Sequence, residues 1–229
     1  MNAVLQLKAR LKTDSRRPYL ARGARVVRCE HCALVPDFCL CGEKKALSSR
    51  LEFGLLMHRN EPFKPSNTGK LICDLMPKSA AFAWHRTTPD PALLAWLAPD
   101  TRIVFPSHYV AKERQAPLPA SGPVKLLILD ATWPQAAKML RSSRYLDKLS
   151  VTSIDDAVLS NYPLRDQHQD GHLCTAEVAA MLMAQAGETA NAHKLSAYLA
   201  AFTDHYLAAK RHGLPSGESL AALKAAMAS

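Results

Sequence analysis

The chain has 229 residues, 48% of them hydrophobic, with a formal net charge of +9 and a pI of about 9.4. That length suits one large domain or one domain with an appendage, and the apolar share supports a sizeable core, while the basic balance favours a polyanionic partner. No apolar run reaches the roughly 18 residues of a membrane span, and the first residues lack the apolar centre of a secretory signal. A cytoplasmic location is therefore expected, where cysteines serve as metal ligands or free thiols more often than as disulfides.

Residues 1–28 carry Lys8, Arg10, Lys12, Arg16, Arg17, Arg22, Arg25 and Arg28 against one acid, Asp14. Leu5, Leu7 and Leu11 give only a short apolar stripe. Two readings stand with equal weight: a solvated, partly ordered arm, or an arm whose Arg16, Arg17, Arg22 and Arg25 meet the phosphates of a nucleic acid. Next come Cys29, Cys32, Cys39 and Cys41 in the pattern C-x2-C-x6-C-x-C, with Pro36 turning the short loop between the pairs. Four thiolates so close in sequence satisfy the tetrahedral demand of a closed, structural Zn²⁺ site. A redox Cys-x-x-Cys is a weaker competitor, and an Fe–S cluster is chemically compatible.

Beyond Lys45 the composition changes. Leu51 to Met57 reads as a strand ending at His58, and Pro62 and Pro65 forbid a helix through the loop that follows. A helix is expected from Asn67 or Thr68 to about Met76, with Lys70 near its start. Its first N–H groups either form a plain cap or face an anion. The spacing alone favours the cap. Further elements are expected at Ala80–Trp84 (strand), Pro91–Leu97 (helix), Thr101–Phe105 (strand, running into Pro106-Ser107-His108-Tyr109) and Leu149–Ile154 (strand). Residues 112–123 read as an exposed loop.

The stretch Leu126-Leu127-Ile128-Leu129-Asp130-Ala131-Thr132-Trp133-Pro134 stands out. Four consecutive aliphatic residues predict a strand buried on both faces. Thr132 suits a helix cap and Pro134 the first helical turn, giving a helix to about Arg141. In open α/β sheets ligands sit at the carboxyl ends of strands, where Asp130 and Trp133 fall. They read either as functional groups or as a cap and a core residue. After Asn161-Tyr162-Pro163-Leu164-Arg165, the segment Leu173-Cys174-Thr175-Ala176-Glu177 opens an alanine-rich helix to about Ala186, with Thr175 as its expected cap. Helices near 190–211 and 218–228 close the chain. Alternating buried strands and helices make the fold α/β.

Taken together, the cysteine knuckle, His58…Glu61…Asn67-Thr68-Gly69-Lys70-Leu71, Asp130-Ala131-Thr132-Trp133, Tyr162-Pro163-Leu164-Arg165 and Leu173-Cys174-Thr175-Ala176-Glu177, in this order, resemble the DTW-domain family of tRNA-uridine aminocarboxypropyltransferases. The resemblance covers roughly residues 28 to 190. Ala131 stands where a longer form of the family motif has glycine, and Cys174 where serine is common.

The resemblance implies a SPOUT-like parallel sheet with helices on both faces and a C-terminal trefoil knot, preceded by the zinc knuckle. It divides the chain into a basic arm and knuckle (1–46) and a transferase domain (47–229). It implies S-adenosylmethionine as the donor, bound by Asn67, Thr68, Gly69, Pro106, Ser107, Asp130, Thr132, Leu164, Leu173, Cys174, Thr175 and Glu177. The 3-amino-3-carboxypropyl group would pass to N3 of a uridine in tRNA, leaving 5′-methylthioadenosine. Asp130 is then expected as the base or as the group that orients the uracil, and Trp133 as a stacking or wall residue. Thr68-Gly69 with Lys70 would hold the methionine carboxylate. Glu177 would bind the amino group or close a cap, and Lys70 and Arg165 would meet RNA. A tRNA methyltransferase on the same fold and a non-catalytic zinc-dependent RNA-binding module are the alternatives.

Overall fold

The computed structural model describes residues 2–14, 26–155 and 173–229. At its centre lie five parallel strands: β1 (Leu51–Met57), β2 (Ala80–Ala83), β3 (Arg102–Val104), β4 (Val124–Asp130) and β5 (Ser150–Thr152). They are arranged in the order β2-β1-β4-β3-β5. β4 takes the middle place, and its side chains alternate between two cores. Leu126 and Ile128 join Phe53, Leu55 and Met57 on one face, while Leu127 and Leu129 join Leu56, Ile103 and Val151 on the other. A strand covered on both sides has no polar face to show, hence the unbroken aliphatic run.

Seven α-helices belong to the described residues: α1 (Ala3–Asp14), α2 (Gly69–Leu75), α3 (Pro91–Trp96), α4 (Trp133–Ser142), α5 (Thr175–Gln185), α6 (Thr189–Lys210) and α7 (Gly217–Ala228). α3 and α4 cover one face through Leu93, Ala136, Ala137, Met139 and Leu140. The others cover the opposite face, with Leu71, Leu75, Leu182, Leu195, Tyr198 and Leu223 among the buried contacts. The expected α/β fold, with a parallel sheet and helices on both faces, is the one observed. The C-terminal knot is an expectation from the resemblance alone, and residues 156–172, between β5 and α5, lie outside the described residues.

Two local expectations change. The first half of the basic arm is not a solvated tail, because α1 buries Val4 and Leu7 against α2 and β2. The buried pair has i,i+3 spacing and so lies on one helix face. Arg10 is spent on Asp90 at 2.7 Å. Residues 15–25, with Arg16, Arg17, Arg22 and Arg25, lie outside the described set. The second change is at α5, where Cys174 and not Thr175 is the cap residue, its N–H donating to Glu177 Oε2 at 2.6 Å. α4 starts as expected on Thr132, whose N–H donates to Gln135 Oε1 at 3.1 Å, with Pro134 in the first turn.

The cysteine knuckle packs onto the same core as the sheet, through Cys32, Leu34 and Leu40. Asp74 at the end of α2 ties it there. Its carboxylate takes Lys44 Nζ at 2.7 Å, Asn2 Nδ2 at 2.8 Å and Tyr198 Oη at 2.9 Å. One buried acid thereby joins the knuckle, the N-terminus, α2 and α6. His205 of α6 adds a 2.9 Å contact from Nδ1 to the Phe38 carbonyl inside the knuckle.

Candidate active site and metal centre

The sulfurs of Cys29, Cys32, Cys39 and Cys41 all lie within 4.8 Å of one another. Three of the pairs, 29–41, 32–39 and 29–39, stand at 3.7 Å. A tetrahedral Zn²⁺ with Zn–S bonds of about 2.3 Å requires S···S edges of about 3.8 Å, so the donor set has the size of that ion. The sulfurs do not favour a common charge state by themselves. Burial pushes Cys32 and Cys41 up. Burial also opposes the Cys29 thiolate, but hydrogen bonds from the backbone of Cys32 and His31 prevail and bring it to about 6. A divalent cation is what stabilises four thiolates at such spacing. A metal held by all four sulfurs would have its tetrahedral positions filled by the protein, the closed arrangement of a structural site.

The second cluster lies at the carboxyl end of β4. Asp130 is only 3% exposed, and both its oxygens accept hydrogen bonds. Thr175 Oγ1 donates to Oδ1 at 2.6 Å, and Asn67 Nδ2 donates to Oδ2 at 2.8 Å. Asn67 spends its own oxygen on the Lys70 N–H at 3.2 Å. Glu61, paired with Lys64 at 2.5 Å, completes the group. Burial pushes the Asp130 carboxyl up to about 6, although Thr175 and Asn67 favour its charged form. Gly69 stands so close that a Cβ there would lie 2.7 Å from Asp130 Oδ2. The carboxylate thus occupies the start of α2 itself.

This arrangement corrects two expectations. The start of α2 was expected to face the carboxylate of a bound amino acid, and there the structure places Asp130 and Asn67. Lys70 is 3% exposed, with Nζ donating to the Pro65 carbonyl at 2.6 Å and lying 4.1 Å from the Phe202 ring centre. Burial brings its amine down to about 7. In this position it is out of reach of an RNA backbone.

Beside the Asp130 joint a cavity of about 390 Å³ opens at the carboxyl ends of β3, β4 and β5. Its size falls within the range of about 300–1,000 Å³ typical of small-molecule sites. Pro106, Ser107, Trp133, Leu173 and Thr175, all singled out from the sequence, line it. Asp130, Asn67, Thr68, Gly69, Cys174 and Glu177 do not. They build the joint that holds Thr175 at the cavity wall, and Glu177 closes the cap of α5. Thr132 caps α4. Leu164 and Arg165 lie outside the described residues.

Sequence reasoning named Trp133 as a stacking or wall residue but missed its ring partners, Phe105 and Tyr109. Trp133, 39% exposed, stacks on Phe105 with centroids 5.1 Å apart and planes at 10°. Tyr109 stands edge-on to both rings, and its hydroxyl is 3.3 Å from Trp133 Nε1. The one signal was the aromatic spacing of Phe105 and Tyr109 after a strand. His108, also missed, is the ionisable side chain among the described lining residues.

Comparison with known proteins adds a family. A family model described as the DTW domain matches residues 26–207. Among curated proteins the chain is similar to tRNA-uridine aminocarboxypropyltransferase 2 of Drosophila melanogaster, with 29% identity over 168 residues, 69% of this chain and 65% of the relative. The chain therefore spans about 65% of that relative's length. No solved structure matches.

Two outcomes are expected. Cys39→Ser should lower bound zinc, measured by elemental analysis of purified protein, together with the melting temperature. A metal-free wild type of full stability would contradict this. The second concerns Asp130, whose folded-state pKa is raised from 3.8 to about 6. The folded protein then binds this proton more tightly than the unfolded chain does. The stabilisation is complete below about pH 4 and is lost as pH rises through about 6. Between pH 4 and 7.5, urea titrations should show wild type losing about 2–3 kcal/mol relative to Asp130→Asn. A pH-independent difference would show that the carboxyl titrates normally.

Proposed function

The chain belongs to the DTW-domain family, and from that premise we propose that it transfers the 3-amino-3-carboxypropyl group of S-adenosylmethionine to N3 of a uridine in cytoplasmic tRNA. The products are 3-(3-amino-3-carboxypropyl)uridine and 5′-methylthioadenosine. Above all, the reading is supported by the cavity at the ends of β3, β4 and β5, the edge of an open α/β sheet where ligands collect. Its lining is largely apolar and aromatic with a few hydroxyls, which suits an adenosyl group. Bound there, S-adenosylmethionine would supply an electrophilic methylene on a sulfonium leaving group.

The residues of the chain have separable roles in this reading. Trp133 and Phe105 form a flat wall for a purine or pyrimidine ring. Thr175 donates its proton to Asp130, so the lone pairs of its oxygen remain to accept from a ligand. Asp130, buried and saturated, is a positioning residue: it sets the direction of that hydroxyl and fixes the start of α5 against the end of β4. In the transfer a bond forms from uridine N3 to the terminal methylene, the C–S bond breaks, and the N3 proton must leave. Among the described lining residues His108 is the side chain able to take it. The choice of the carboxypropyl carbon over the methyl is then a matter of which carbon stands in line with N3. The cysteine centre, loaded with Zn²⁺, braces the fold and takes no part in the chemistry.

The test is a product analysis. Unmodified tRNA is incubated with zinc-loaded protein and S-adenosylmethionine, digested to nucleosides and examined by mass spectrometry. The expected result is a uridine heavier by the 3-amino-3-carboxypropyl group, with an equal amount of 5′-methylthioadenosine. A methylated nucleoside with S-adenosylhomocysteine would overturn the choice of group. Unchanged tRNA that nonetheless binds would point to a non-catalytic RNA-binding protein.

A further inference from the structure

On the far side of the β4 end from the cavity lies a second surface that the transferase reading leaves unused. His58 follows β1, and its N–H donates to the Asp130 carbonyl at 3.0 Å, so it sits beside the same strand end. Its ring stacks on Trp84, which follows β2, with centroids 5.9 Å apart and planes at 23°. Both rings are part-exposed. The shelf they form is anchored to the end of α4, since Trp84 Nε1 donates to Ser143 Oγ at 2.9 Å and Tyr145 Oη to the His85 carbonyl at 2.9 Å.

Cations surround this shelf. Arg59 follows His58 directly, and Lys138 lies on α4, whose C-cap Ser143 holds Trp84; burial lowers the pKa of His58, Glu61 opposes that, and the charges of Arg59, Lys64 and Lys138 add to it. Arg141 stands one turn beyond Lys138 on α4, and Arg59, Lys138 and Arg141 are exposed. Among the described residues none of these three has a carboxylate within ion-pair distance. Lys64, by contrast, is spent on Glu61. Unpaired surface cations around part-exposed flat rings are the combination that binds an RNA strand: the cations take phosphates and release counterions, and the rings stack on a base.

We propose that Arg59, Lys138 and Arg141 dock the phosphates of the RNA substrate, with the His58–Trp84 shelf receiving a nucleotide next to the one that enters the cavity. This rests on the transferase reading, which supplies the RNA. It also relocates the RNA contact that the sequence assigned to Lys70, now buried.

The test compares wild type with Arg59→Ala/Lys138→Ala/Arg141→Ala, both full-length and zinc-loaded, for tRNA affinity between about 50 and 300 mM salt. The slope of log Kd against log salt should flatten by about 2–3 in the variant, one phosphate contact per cation removed. Melting temperature and affinity for 5′-methylthioadenosine should stay at wild-type values, which excludes misfolding. A slope equal to that of wild type would overturn the docking surface alone. Wild-type protein that binds no tRNA at any salt would overturn the transferase reading and the docking surface together.

Discussion

One buried carboxylate decides how the working end of this molecule is assembled. Asp130 ends the central strand, and its two oxygens are claimed by Thr175 at the start of α5 and by Asn67 just before α2. An ionised carboxylate is expensive to bury unless each oxygen is hydrogen-bonded. The loop before α2 and the first turn of α5 are therefore held to the end of β4 as a condition of keeping it there. Gly69 belongs to the same constraint, because any side chain would collide with Asp130 Oδ2 at 2.7 Å. The cavity inherits its shape from this joint, since Thr175 is both a partner of Asp130 and part of the lining.

A second acid performs the same kind of work at the other end of α2. Asp74 gathers Lys44 from the knuckle, Asn2 from the N-terminus and Tyr198 from α6. The cysteine knuckle is thereby fixed to the body of the protein through a polar contact as well as through Leu34 and Leu40. The knuckle and α6 meet at this carboxylate, so the packing of one depends on the other. Breaking such a buried group by removing one partner costs more than the intact group contributes, because the remaining charge is left without compensation. α2 is only seven residues long, and its place in the fold comes from these two acids and its apolar face.

What could be read from the sequence follows the range of the interactions involved. The strand Val124–Asp130, the α4 start at Thr132 and the C-terminal helices rest on local periodicity and capping and were legible. So was the cysteine set, because its four ligands fall within 13 consecutive positions, Cys29 to Cys41. The environment of Asp130 was not. Its donors come from 45 and 63 residues away, and nothing in a strand end says whether its carboxylate will face a ligand or the interior. Lys70 misled for the same reason. Beside Gly69 it resembles an anion-binding lysine, but α6 covers it with Phe202. At the N-terminus the leucines drew attention, whereas the buried face is Val4 with Leu7. The Thr175 cap was missed by one residue, because Cys174 takes the position a serine would suit and frees Thr175 for Asp130.

The central claim is that Asp130 acts through Thr175 to shape the ligand cavity. Isothermal titration calorimetry with 5′-methylthioadenosine on wild type, Asp130→Asn, Thr175→Val and the double variant measures it directly. The account predicts that each single change weakens binding by about tenfold, the worth of one hydrogen bond to a well-placed group. The double variant should then bind no more weakly than the worse single one, because both changes break the same link. Losses that add, or single variants that bind as wild type does, would contradict it.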